Sequence, residues 1–162
     1  MISNQTKDTK KKFIVDVNLG RLAKWLRLMG YDTLYYRSCP LIAIANISRK
    51  ENRIFLTRSS KNACSKIFEK VILINSPNIL EQLKELAPEL DYHPEKILTL
   101  CSVCNHDLYH VDKEKVFGMV PEYVFRMNQN FRTCRSCGRI YWKGTHNQAI
   151  IDKIEEIFGV SK

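Results

Sequence analysis

Two pairs of cysteines carry the most specific chemistry in this chain: Cys101-Ser-Val-Cys104 and Cys134-Arg-Ser-Cys137. Two intervening residues let both thiolates of one pair face a single ion, and a second pair completes a closed tetrahedron around it. Four thiolates leave no open coordination position. The metal expected is therefore a structural zinc ion, which stabilises a module too small to fold on its own core. Free thiols or a redox pair are the competing reading, and two such pairs in one basic chain disfavour it. The pairs are separated by 29 residues, longer than a minimal finger, which predicts a ribbon with an inserted hairpin or loop. The neighbouring His106 and His110 are alternative ligand types, but the favoured reading for both is as surface residues. Cys39 and Cys64 lie outside the pairs and read as small buried hydrophobes.

A second signal is Asp16, an acid placed directly after the apolar run Phe13-Ile14-Val15. A carboxylate there needs a partner or a task; taken alone, it reads as a capping or salt-bridged aspartate. Metal-dependent phosphodiester chemistry needs several carboxylates converging on Mg²⁺ or Mn²⁺. The other strand ends offer Arg37, Ser38 and Cys39, or Arg58, Ser59 and Ser60, and no acid. Asp32 follows Gly30 ahead of the second strand, too early to join them.

The third signal is basic residues interleaved with aromatics. Arg21, Lys24 and Arg27 recur at helical spacing, and Arg37 and Arg58 fall near strand ends beside Tyr35 and Tyr36. Arg126, Arg132, Arg135, Arg139, Tyr141, Trp142 and Lys143 lie in the cysteine-bearing region. Arginines grip phosphates, and exposed rings stack on unpaired bases. The bland alternative is a solvated helix face and a small aromatic core, which suits Trp142 equally well.

These residues need elements to hold them. Short apolar runs at Phe13–Val17, Thr33–Tyr36, Arg53–Thr57 and Val71–Ile74 predict four strands. Amphipathic stretches between them predict helices: one capped by Asn18 and stopped by Gly30, one opened by Pro40, a weaker one through Ala63 and Ile67, and one started by Ser76-Pro77. The alternation implies an α/β fold, a parallel sheet covered by helices on both faces, with the working site at the carboxyl ends of the strands. Residues 88–94 read as a linker. The resulting organisation is a flexible basic arm at 1–12, an α/β domain at 13–92, a zinc ribbon at 93–145 and a C-terminal helix at 146–162. Thr145 would cap that helix, with Ile150, Ile151, Ile154, Ile157 and Phe158 on its apolar side.

Composition narrows the partners. Hydrophobic residues at 44% and charged residues at 27% match globular usage and exclude a wholly disordered chain. No apolar run approaches the roughly 18 residues of a membrane span. The opening MISNQTKDTKKK has no apolar stretch of signal-peptide type, so the expectation is a cytoplasmic chain without membrane contact. The net charge is +9, of which +7 falls in the first 98 residues. A polyanion such as RNA is the partner this favours, with simple solubility as the alternative.

Several segments together resemble the Mut7-C family, a PIN-like ribonuclease domain followed by a zinc ribbon. They are Val15 to Tyr35 (VDVNLGRLAKWLRLMGYDTLY), Arg53 to Arg58 (RIFLTR), the two cysteine pairs, and Tyr141 to His146 (YWKGTH). The resemblance spans about residues 13–146. It implies a PIN-like α/β fold, an RNA-directed role, and Asp16 as the first acid of a nuclease site with Mg²⁺ or Mn²⁺. The family pattern also carries acids after the second strand and after Leu-Thr-Arg. Here those places hold Arg37-Ser38-Cys39 and Ser59.

Three functions follow as expectations. The first is an RNA-binding protein on a ribonuclease-like scaffold with weak or no cleavage. It would use Arg21, Lys24, Arg27, Arg37, Arg58, Arg135, Arg139, Trp142 and Lys143 for RNA and zinc for structure. The second is an active ribonuclease using Asp16, with Ser38, Ser59 or Asn18 as neutral ligands. The third is an adaptor whose ribbon and terminal helix dock on a protein partner.

Overall fold

The computed structural model describes residues 11–160; the expected arm therefore lies outside the described residues up to position 10. Strands β1 (Lys12–Val15), β2 (Thr33–Tyr35), β3 (Arg53–Thr57) and β4 (Val71–Leu73) form a wholly parallel sheet in the order β2-β1-β3-β4. Helices α1 (Gly20–Leu28), α2 (Leu41–Glu51), α3 (Ser60–Ala63) and α4 (Ile79–Leu86) connect and follow them. Strand side chains alternate between two cores. Phe13, Val15 and Leu56 meet Leu22 and Leu26 of α1 and Leu83 and Leu86 of α4. On the other face Ile14 and Phe55 meet Ile44 and Ala45 of α2, and Phe55 stacks on Phe68 with ring centroids 4.0 Å apart. Burial on both faces is why the strands are apolar without polar alternation.

The chain reverses direction across the sheet between β1 and β3. In such sheets the crevice outside the carboxyl ends of those two strands is the natural ligand site.

Several expected caps shift. Asp16 stands where Asn18 was expected: its carboxylate accepts from Val17 N and opens a 3₁₀ turn (Val17–Leu19) ahead of α1. Asn78 caps α4, accepting from Leu80 N, while Ser76 Oγ accepts from Asn78 N and forms a turn before the helix. Gly144, not Thr145, occupies the cap position of α6 (Thr145–Ile157). Gly30 ends α1 as expected, at φ 88°, and packs so close to Lys96 that a Cβ would lie 2.5 Å from its carbonyl oxygen.

Residues 88–94 are a packed connection, not a loose linker. Leu90 is buried in the α1–α4 core, and the Tyr31 hydroxyl donates to the Asp91 carbonyl and accepts from the Asp91 amide, each at 2.7 Å.

Strands β5 (Leu108–Val111), β6 (Phe131–Cys134) and β7 (Ile140–Trp142) form an antiparallel sheet. The insertion between the cysteine pairs folds as β5, a 3₁₀ turn and a short helix, α5 (Glu122–Met127). Together they enclose a small core of Val116, Val124 and Phe131. Helix α6 leaves this module and returns to the parallel sheet's core, where Ile154 is buried beside Leu83 and Leu86. Ile150, Ile157 and Phe158 pack around it, as the apolar spacing predicts.

Candidate functional site

The end of β1 hands the chain to Asp16, whose amide bonds Leu56 O at 2.9 Å across to β3. This aims the carboxylate into the crevice beside Thr57, the last residue of β3. Asp16 Oδ2 accepts from Thr57 Oγ1 at 2.6 Å and from Asn62 Nδ2 at 3.2 Å, and Oδ1 accepts from Val17 N at 2.7 Å. Thr57 Oγ1 in turn accepts from Ser59 N, and Ser59 Oγ accepts from Asn62 N. Asp16 is 9% exposed, and these three donors offset the cost of burying its charge.

A cleft of about 490 Å³ opens over this group, with Asp16 and Asn62 on one wall and Tyr36, Arg37, Ser38 and Cys39 on the other. Helix α2 starts in that second wall, with Pro40 in its cap position and no side-chain cap. Its positive dipole end therefore faces the cleft together with Arg37.

Asp16 is the sole acid among the described residues lining the cleft. A hard divalent cation needs several anionic or carbonyl oxygens. Thr57, Asn62 and Val17 instead point hydrogens at the one carboxylate present. The set does not fit Mg²⁺ or Mn²⁺, and no step through such an ion follows from it.

The four paired cysteines converge. All four Sγ atoms lie within 4.8 Å of one another, with Cys101 to Cys137 at 3.7 Å and Cys104 to Cys134 at 3.2 Å. A tetrahedron with metal–sulfur bonds of about 2.3 Å has sulfurs about 3.8 Å apart, so this set can hold a metal ion such as zinc. Each knuckle turns through a left-handed residue directly after its second cysteine, Asn105 at φ 65° and Gly138 at φ 71°. The turns bring Asn105 N to Cys101 O and Gly138 N to Cys134 O. Burial raises the Cys101 thiol, but the Tyr141 hydroxyl and the Cys104 and Val103 amides outweigh it and bring the group down to about 6. Burial and the neighbouring thiols push Cys104 up to about 12. His106 and His110 are exposed, as expected. Cys39 is half-buried against the α2 core, but Cys64 is exposed because the four-residue α3 buries none of its residues.

The basic residues divide. Arg21, Lys24, Arg37, Arg58, Arg135, Arg139 and Lys143 are exposed. Arg135 lies over the Tyr109 ring at 3.9 Å. Trp142 is half-buried against the ribbon core, the bland alternative for it. Arg27 does not share the exposed face of Arg21 and Lys24. It is 6% exposed, and its Nη1 donates to Ser102 O at 3.2 Å and Val103 O at 2.8 Å, its Nε to Thr33 O at 2.9 Å.

Asp32 lies at the opposite end of the sheet from the cleft, as its position predicts, and is structural. Its oxygens accept from Arg53 Nη1 at 2.8 Å, Arg53 Nη2 at 3.0 Å and Asn105 Nδ2 at 2.6 Å. Burial raises the Asp32 carboxyl, but Arg53 and Asn105 outweigh it and hold the group below its usual 3.8. A carboxyl lowered on folding stabilises the fold above its unfolded value and loses that contribution as pH falls through the folded one. Urea unfolding should therefore show wild type well above Asp32→Asn near neutrality, with the gap closing below pH 3.8. A gap that does not change with pH would assign the effect to something other than the carboxylate.

Sequence reasoning passed over Thr57 and Asn62 as partners of Asp16, and Asn105. Thr57 sits at a strand end and Asn62 lies five residues on, which is the available signal for both. The local mark of Asn105 is its place directly after Cys104, which signals the turn but not its bonds to Thr33 and Asp32.

Over residues 11–154 the chain matches the family model described as the Mut7-C RNAse domain. No curated protein and no solved structure gives a significant match. Among the described residues no helix is long and apolar enough to cross a membrane.

Proposed function

Because this chain belongs to the Mut7-C RNAse domain family, we propose that it binds RNA on a PIN-like ribonuclease scaffold whose acidic metal set is depleted. The observation that carries this reading is the cleft itself. It offers one carboxylate, already held by Val17, Thr57 and Asn62, opposite Arg37 and the uncapped start of α2. That arrangement suits a phosphate better than a cation. Arg58 directly follows Thr57 at the same end of β3, and Arg21 and Lys24 are exposed on α1. Arg135, Arg139 and Lys143 are exposed on the ribbon, whose knuckles sit at the Asp32 end of the sheet. In this reading they are further phosphate contacts. Zinc at the four cysteines is structural in this reading. The thiol set belongs in a reducing compartment, so the cytoplasm is the proposed location.

Two other readings have their own support. The position of Asp16 at the chain-reversal crevice favours an active ribonuclease. Exposed Phe117, Met119, Tyr123 and Met127 on the ribbon insertion favour a protein-binding adaptor.

Labelled single-stranded RNA, incubated with wild type and with Asp16→Asn, with and without added Mn²⁺, separates the three. The expected result is no cleavage by either protein and retention in a gel shift that weakens steeply with salt. Mn²⁺-dependent cutting that disappears in Asp16→Asn would replace this reading with the ribonuclease. Absence of both cutting and retention would leave the adaptor.

A further inference from the structure

Among the described residues, strand β2 is an edge strand, paired only with β1. In that pairing Phe13 N bonds Asp32 O, so the next residue, Thr33, turns both its amide and its carbonyl away from β1. Thr33 is nonetheless 0% exposed. Buried backbone groups need partners, and among the described residues no further strand supplies them. Asn105 Oδ1 accepts from Thr33 N at 2.9 Å, and Arg27 Nε donates to Thr33 O at 2.9 Å.

Both partners lead to the first cysteine knuckle. Asn105 follows Cys104 directly and adopts its left-handed conformation as part of the knuckle turn. Its Nδ2 reaches Asp32 at the same time. Arg27 spends its remaining contacts on the carbonyls of Ser102 and Val103, the two residues between the cysteines. The knuckle thus takes the place of a neighbouring strand at a single residue. An Asn is suited to the post-cysteine position because it tolerates positive φ and carries both a donor and an acceptor.

We infer that the Cys101–Cys104 knuckle is a metal-dependent clasp on the free edge of the parallel sheet. With the metal bound, the knuckle keeps Ser102, Val103 and Asn105 in place and β2 is pinned at its start. Without it, the acceptors of Arg27 and the side chain of Asn105 are released, and the edge strand loses its outer partners. The far end of β2 runs into Tyr36 and Arg37, so the clasp also steadies one wall of the cleft. This inference rests on the zinc reading given above, and zinc content is measured separately for that reason.

Hydrogen exchange of individual amides by NMR tests the clasp, using the full chain loaded with zinc. Asn105→Gly keeps the left-handed turn, since glycine favours it, while deleting both side-chain bonds. Zinc content of this variant should remain at one equivalent. Exchange at Thr33 should rise roughly tenfold or more, the scale of leaving a buried donor unpaired, while Phe55 N, bonded to Lys70 O inside the sheet, keeps its protection. Chelating zinc from wild type should raise exchange at Thr33 through Tyr35 without an equal loss at Phe55. Unchanged Thr33 protection in the zinc-loaded variant would overturn the clasp. So would chelated wild type that retains Thr33 protection, or that loses Thr33 and Phe55 protection equally. Should Asn105→Gly fail to fold, the chelation arm decides. A wild type that binds no zinc removes the metal dependence, and the variant's Thr33 exchange then judges the hydrogen-bond clasp by itself.

Discussion

Cys101→Ser is expected to lose stoichiometric zinc and to unfold the ribbon. A serine hydroxyl does not ionise near neutral pH, so the site falls from four thiolates to three, and the sulfur lost is the one its surroundings bring down to about 6. Structural zinc contributes on the order of 10 kcal/mol to the folding of small modules. The ribbon has little else: its own core consists of Val116, Val124 and Phe131 with partly buried neighbours. A three-residue core of that kind does not offset the chain entropy of the segment between the cysteine pairs. The damage should spread, because Ser102 and Val103 hold the buried guanidinium of Arg27. Elemental analysis should find well under one zinc per chain. Circular dichroism should show loss of strand signal, with a melting transition lowered or split in two. Retention of a full zinc equivalent by the variant would refute the closed four-thiolate site.

Arg37→Glu combined with Arg58→Glu should weaken RNA binding on the order of 100-fold at near-physiological salt, with little effect on folding. Each reversal removes a phosphate partner and adds a repelling charge. The logarithmic salt dependence of binding should also become shallower by about 1.4, for two phosphates on a single strand. Both side chains are exposed and have no acidic partner in the described structure, so the cost to stability should stay within about 0.5 kcal/mol for each. Filter binding across a salt series, with a melting curve for each protein, checks both halves. Unchanged affinity would rule out the strand-end surface and leave the ribbon and α1 to account for any RNA bound.

The difference between these arginines and Arg27 shows where sequence reading stops. Arg21, Lys24 and Arg27 recur every three residues, which looks like one face. At 3.6 residues per turn each step of three falls about 60° short of a full turn, so Arg27 lies about 120° round from Arg21. That rotation places Arg27 against the ribbon, where Ser102, Val103 and Thr33 take its donors. The sequence carries the helical period but not what the flank of the helix will meet.

By itself the sequence determined the alternating apolar strands and amphipathic helices, the parallel sheet they form, and the four cysteines that converge. These follow from signals within a few residues: side-chain period, and the two-residue gap that lets paired thiolates face one ion. Only the tertiary structure decided which donors hold Asp16, because Thr57 and Asn62 stand 41 and 46 residues away and meet it only once β1 and β3 are paired. It likewise decided that Asn105 serves Thr33 across 72 residues. Hydrophobic burial selects elements and their order without direction, whereas a hydrogen bond needs a partner within about 3 Å and at the right angle. That geometry exists only after the sheet order and the knuckle turn have been set.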